Sequence, residues 1–250
     1  MRLTGPLESA ALLTVLPVPR KATESARGVL PWAPLVGLAL GGIATGVAVL
    51  GERWIAPLAG AVLGIAVLAL LTRGLHLDGL ADTADGLGPL RGRERALEVM
   101  HQSDVGPFGV VTLVLTLLLQ TACLAALLET PGGWPAFWFA VAVARLAMAR
   151  TGLPGVPMAD GSSLGALVQG TVSASWFAGW CVVLGLLAAV ATGDLGPALR
   201  IAGSALVGLL AAELLYRRAR ARLGGVTGDV MGAMGETATA VTLLVAAVAV

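Results

Sequence analysis

Residues 30–50 read LPWAPLVGLALGGIATGVAVL, a run with no charged side chain. As an α-helix rising about 1.5 Å per residue it is long enough to cross the roughly 30 Å of a bilayer's hydrocarbon. The rest of the chain repeats the pattern. Apolar runs recur at about Trp54–Leu71, Phe108–Leu128, Trp134–Ala149, Trp176–Ala191 and Ala198–Tyr216, and a fourteen-residue run closes the chain at Thr237–Val250. With 57% hydrophobic and only 12% charged residues, and a mean hydropathy of +0.88, the composition excludes a soluble globular domain. The expected fold is all-α, with residues 1–250 forming one integral-membrane domain, a bundle of about six to seven transmembrane helices. Thirty-four glycines suit close helix packing in lipid.

The amino terminus does not read as a signal peptide, since Glu8 interrupts its apolar patch and Pro17 and Pro19 follow without a cleavage site. An interfacial or half-inserted helix is expected there. A net charge of +1 argues against nucleic acid as a partner, and Cys123 and Cys181, each inside an apolar run, read as packing residues. Thirteen of the 16 Lys and Arg fall on one side of the bundle, the exceptions being Arg53, Arg145 and Arg200, with Arg145 taken as lying near the basic end of its span. By the positive-inside rule that side is cytoplasmic. It carries the amino terminus and three polar segments, near 72–106, 151–175 and 217–236, and the site they form is expected to face the cytoplasm.

The first of these segments holds Asp78, Asp82 and Asp85. On a helix their i, i+4, i+7 spacing places them within roughly 60° on one face. Three carboxylates that close repel one another, and a bound divalent metal relieves the repulsion most simply. In Asp82-Thr83-Ala84-Asp85-Gly86 the glycine leaves room for a phosphate or metal, and Mg²⁺ favours a few carboxylates plus phosphate oxygens over an all-protein cage. Solvated caps, or the cation path of a transporter, are the competing readings. In the third segment, Gly224-Gly225-Val226-Thr227-Gly228-Asp229 reads as a phosphate-cradling turn, with Asp229 free to take a metal or a proton. The arginines before it read chiefly as membrane-side anchors, though one, such as Arg222, could grip a diphosphate. Ser103 or Asp104 either caps the span that follows or joins the site. His76 and His101 lack triad partners and suit hydrogen-bonded structural roles.

Taken together, His76-x-Asp78-Gly79-x-x-Asp82-x-x-Asp85-Gly86, Ser103-Asp104-x-Gly106-x-x-Gly109, Asp160-Gly161 and Gly224-Gly225-x-Thr227-Gly228-Asp229 resemble, in order and spacing, the cobalamin synthase family of adenosylcobinamide-GDP ribazoletransferases. The resemblance covers nearly the whole chain, including Leu13-Thr14-x-Leu16-Pro17-Val18-Pro19. It implies transfer of the phosphocobinamide group to α-ribazole or its 5′-phosphate, with release of GMP. Asp78, Asp82 and Asp85 would hold Mg²⁺, Asp85 or Asp229 would act as base, and His76, Asp104, Arg222, Gly225, Thr227 and Gly228 would line the substrates. The implied partners are the corrinoid nucleotide, α-ribazole and membrane lipid; oligomeric state is left open. The D-x-x-D-G core also resembles the CDP-alcohol phosphotransferases, but Pro89-Leu90 replaces the expected Ala-Arg and that family's second acidic motif is absent.

Overall fold

The computed structural model describes residues 4–20 and 24–249; Arg2 and Lys21, counted above for orientation, and Val250, the end of the last apolar run, lie outside them. The described chain is helical without a strand: α1 (Gly5–Leu13), α2 (Val29–Trp54), α3 (Pro57–Leu71), α4 (Leu75–Leu87), α5 (Arg93–Met100), α6 (Pro107–Glu129), α7 (Pro135–Ala149), α8 (Ser163–Val168), α9 (Ala174–Thr192), α10 (Leu195–Leu223) and α11 (Gly228–Val248). Five of them, α2, α6, α9, α10 and α11, are individually long and apolar enough to cross a membrane. The chain is a multi-pass membrane protein.

Burial sorts these helices. The most apolar window of α11 is 72% buried and that of α9 only 11%, so α11 is the central post and α9 turns its apolar surface outward to lipid. At fifteen residues α7 is short for a full crossing, and all of its residues except the half-buried Trp138 are buried between α2, α11, α10 and α9. Its small side chains, Ala140, Ala142, Ala144 and Ala147, let the neighbours close in. Arg145 on this helix is only 2% exposed. Instead of anchoring at the interface, it sits in the bundle core, where Glu236 on α11 is its electrostatic partner.

Two boundaries differ from the sequence expectation. The chain does not stop being helical where it becomes charged: α10 runs on through Arg217, Arg220 and Arg222 to Leu223, since arginine is a good helix former and water solvates it. The last helix begins nine residues earlier than its apolar run. Thr227 caps it, accepting a bond from the Val230 N–H at 3.2 Å, so the terminal span has 21 residues in place of a marginal fourteen.

The feature that positions the site is an elbow. After α3, Arg73 and Gly74 both adopt left-handed backbone, φ +56° and +66°, and α4 leaves at 89° to α3. A non-glycine residue there costs about 1–2 kcal/mol. The Arg73 guanidinium donates to the Leu12 carbonyl at 3.0 Å and the Val15 N–H donates to the Leu71 carbonyl at 2.8 Å, tying α1 to the bend. Glu8, which interrupts the apolar patch of α1, is buried and accepts from the Gly28 N–H at 2.7 Å, stapling α1 to the start of α2. Turned aside in this way, α4 lies across the polar end of the bundle, against α11, α6 and α5.

Candidate active site

The three polar segments meet pairwise at that end. Arg93 on α5 pairs with Asp160 at 2.8 Å, joining the first to the second. Met158 forms a parallel bridge with Val226, the Ala159 N–H donating to the Val226 carbonyl at 3.1 Å and the Val226 N–H to Pro157 at 3.0 Å, joining the second to the third. First and third touch backbone to backbone: a Cβ on Gly79 would stand 2.8 Å from the Asp229 Cα. Glycine at 79 therefore brings the acid helix α4 against the first turn of α11, with Asp78 and Asp82 one residue before and three after the contact.

The acids of α4 do not share one fate. Asp78 is exposed and Asp82 half-buried, but Asp85 is 5% exposed and its two carboxylate oxygens accept the Gly106 N–H at 2.8 Å and the Gly109 N–H at 3.0 Å. Pro107 opens α6 and no local side chain caps it, so Asp85 supplies the cap from another helix, where a negative charge suits the helix dipole. A Cβ on Gly106 or on Gly109 would run into that carboxylate, which explains the Gly106-x-x-Gly109 spacing. Neither Ser103 nor Asp104 is the cap; Asp104 is exposed and makes no side-chain hydrogen bond among the described residues.

Asp229 replaces Asp85 as the third acid of the cluster. The Thr227 hydroxyl, while accepting from Val230, donates to the Asp229 carboxylate at 3.2 Å and so orients it. Burial pushes the Asp82 carboxyl up to about 7, with Asp78, Asp229 and then Asp85 adding repulsion and His101 relieving part of it. None of the ion pairs among the described residues involves Asp78, Asp82 or Asp229. No group of three or more His, Cys, Asp or Glu poised to hold a metal occurs among them either. The donor set is nevertheless one that suits Mg²⁺, since that ion commonly takes one or two carboxylates and completes its shell with water and phosphate oxygens.

The glycine motif is read differently once its surroundings are known. Gly224 ends α10 with φ +78°, and Gly225 is pressed against the backbone of Met158 and Ala159, where any Cβ would collide. Gly225 is thus covered by protein and makes no cradle for phosphate. Gly228, in contrast, opens α11 and borders a cavity. Arg222 spends one guanidinium nitrogen on the carbonyls of Pro89 and Arg91, 3.1 Å each, and so holds the loop between α4 and α5. His76 is 3% exposed and packs beside Gly232 of α11.

The sequence suggests a structural role for His101, and the structure gives it more. Its Nδ1 is held at 2.7 Å from the Leu97 carbonyl, as a structural histidine's would be, and its ring also acts electrostatically on both Asp82 and Asp229. The available signal was its place at the end of a short helix between the two acidic motifs. His101, Asp229, Thr227 and Gly228 border a cavity of about 270 Å³.

Known proteins resemble this chain over nearly its whole length. A family model described as Cobalamin-5-phosphate synthase matches residues 6–247. The adenosylcobinamide-GDP ribazoletransferase of Frankia casuarinae is 41% identical, the alignment covering 96% of this chain and 92% of that protein. Those of Bradyrhizobium diazoefficiens (40%; 96% and 91%) and Escherichia coli (34%; 94% and 95%) are similar over comparable spans. No solved structure matches the chain. Nothing in these comparisons favours a CDP-alcohol phosphotransferase or a transporter.

Proposed function

The chain belongs to the cobalamin-5-phosphate synthase family, and from that premise we propose that it is an adenosylcobinamide-GDP ribazoletransferase acting at the polar end of the bundle. The ribose hydroxyl of α-ribazole, or of its 5′-phosphate, attacks the phosphorus that carries cobinamide. A new P–O bond forms, the bond to the GMP oxygen breaks, and GMP departs. The observation that carries the placement is the Gly79–Asp229 contact, which sets two acidic motifs 150 residues apart in sequence against each other at the bundle's polar end.

Asp229 is the general base: it is half-buried, oriented by Thr227, and next to the cavity. A positioned base contributes about 10²–10⁴-fold. Asp78 and Asp82 would hold Mg²⁺, with Asp229 within reach of the same charge. When bound, the ion supplies neutralisation of the diphosphate and of the departing GMP oxygen, the kind of help phosphoryl transfer chiefly needs. Asp85 acts through α6, whose first turn it ties to the acid helix. Arg222 and the Arg93–Asp160 pair keep the loops around the site closed upon one another.

With GMP release as the assay, the Mg²⁺ concentration giving half-maximal rate should fall as pH rises from 6 to 8. Asp82 loses its proton near 7, so at lower pH a proton competes with the cation for the carboxylate. A half-saturating concentration that stays flat across this range would remove Asp82 from the cation's ligands.

The polar end should face the cytoplasm of the bacterial inner membrane. Arg91→Cys and Arg220→Cys, each in a background without Cys123 and Cys181, should resist an impermeant thiol reagent in intact cells and react once the membrane is opened. Labelling from outside would invert the topology.

A further inference from the structure

One buried donor is unused by the chemistry above. The Arg145 guanidinium stands 3.5 Å from the His76 Nδ1, and since a guanidinium only donates, Nδ1 is the acceptor and the ring proton sits on Nε2. That Nε2–H is buried and has no acceptor among the described residues. A donor left this way costs about 1–3 kcal/mol, so a buried one in a cavity wall marks where a ligand's acceptor belongs.

His76 lines the cavity of about 270 Å³ behind the first turn of α11. The other walls include Leu12, Leu30, Met148, Leu164, Val168 and Met231, so much of the wall is apolar, with Ser162 and Thr227 adding hydroxyls. His101 is exposed and Asp229 half-buried, which marks the open side, while Leu30, Val168 and Met231 are at most 2% exposed. The volume is slightly below that of typical ligand pockets of roughly 300–1,000 Å³, which suits a bicyclic ring and excludes a corrinoid.

We propose that this cavity receives the base of the acceptor nucleoside: a flat, apolar benzimidazole whose unsubstituted ring nitrogen accepts the His76 Nε2–H bond, leaving its ribose at the opening beside Asp229. The assignment rests on the ribazoletransferase reading and names which part of that substrate goes where. His76 is then a binding residue for the acceptor, and α1 and α8, which take no part in the acid cluster, form its walls.

Equilibrium dialysis of benzimidazole against the detergent-purified protein tests this without turnover. Saturable binding is expected, weakened at least tenfold in Val168→Phe, which fills the cavity from α8. In the transfer assay benzimidazole should raise the KM for α-ribazole and leave that for adenosylcobinamide-GDP unchanged, and Val168→Phe should raise the α-ribazole KM about tenfold with kcat within threefold. Absence of saturable binding to the wild type, or equal binding by a folded Val168→Phe protein, overturns the pocket. If Val168→Phe does not fold, competition in the wild type decides: inhibition not competitive with α-ribazole overturns it. A wild type that binds benzimidazole but releases no GMP would instead refute the transferase reading and leave the pocket standing.

Discussion

Asp82→Asn and Asp229→Asn should each lower kcat for transfer by a factor on the order of 10²–10⁴ while the purified protein keeps its melting temperature within a few degrees. The substitutions hold volume nearly constant and remove charge from a mutually repelling cluster that forms no ion pair among the described residues, so the fold loses little. Thr227→Val should cost less than Asp229→Asn, because it leaves the carboxylate in place and loses only its orientation and the cap of α11. A rate within threefold of wild type in either Asp variant would remove that residue from the reaction.

Asp85→Asn should behave differently, with loss of activity accompanied by loss of stability. An amide offers one acceptor oxygen where the carboxylate now serves two N–H groups, and it turns an NH₂ toward Gly106 or Gly109. One buried N–H is left unpaired and the negative charge at the α6 terminus is gone. Together these cost about 2–4 kcal/mol. The thermal midpoint should drop by several degrees, and the rate should fall through displacement of α4. A variant as stable as wild type but inactive would mean that Asp85 meets the substrate or its metal directly.

The contrast between Asp82 and Asp85 marks how far the sequence is legible. Helical phasing correctly places Asp78, Asp82 and Asp85 on α4. It cannot say what each faces, because the partner of Asp85 is a helix terminus 21 residues away and Asp82 feels the charge of Asp229 from another helix. The apolar runs that became α2, α6 and α9 were readable from charge-free length alone. The start of α11 was not: Gly-Gly-x-Thr-Gly-Asp looks like a loop, and only the Thr227 cap, a local signal that was available, reveals a helix. Gly225 shows the opposite error, a glycine explained by an approach of Met158 and Ala159 that no local pattern encodes. Arg145 does lie near the end of its helix, but its burial and its partner are illegible for a related reason. Counting basic residues by span end cannot separate an interfacial arginine from one buried against a glutamate on another helix.

That buried group also carries stability. Gln120 donates to Glu236 at 2.9 Å, and Glu236 faces Arg145 electrostatically, so α6, α7 and α11 are joined in the core. Such groups inside a membrane bundle are retained only where partners hold them.

The most direct measurement of the central claim is a mass balance. Purified protein in detergent, given adenosylcobinamide-GDP, α-ribazole and Mg²⁺, should release one GMP for each corrinoid that gains α-ribazole, and omission of α-ribazole should stop GMP release. GMP released at the same rate without α-ribazole, or no ribazole-bearing corrinoid from protein shown to be folded, would contradict it.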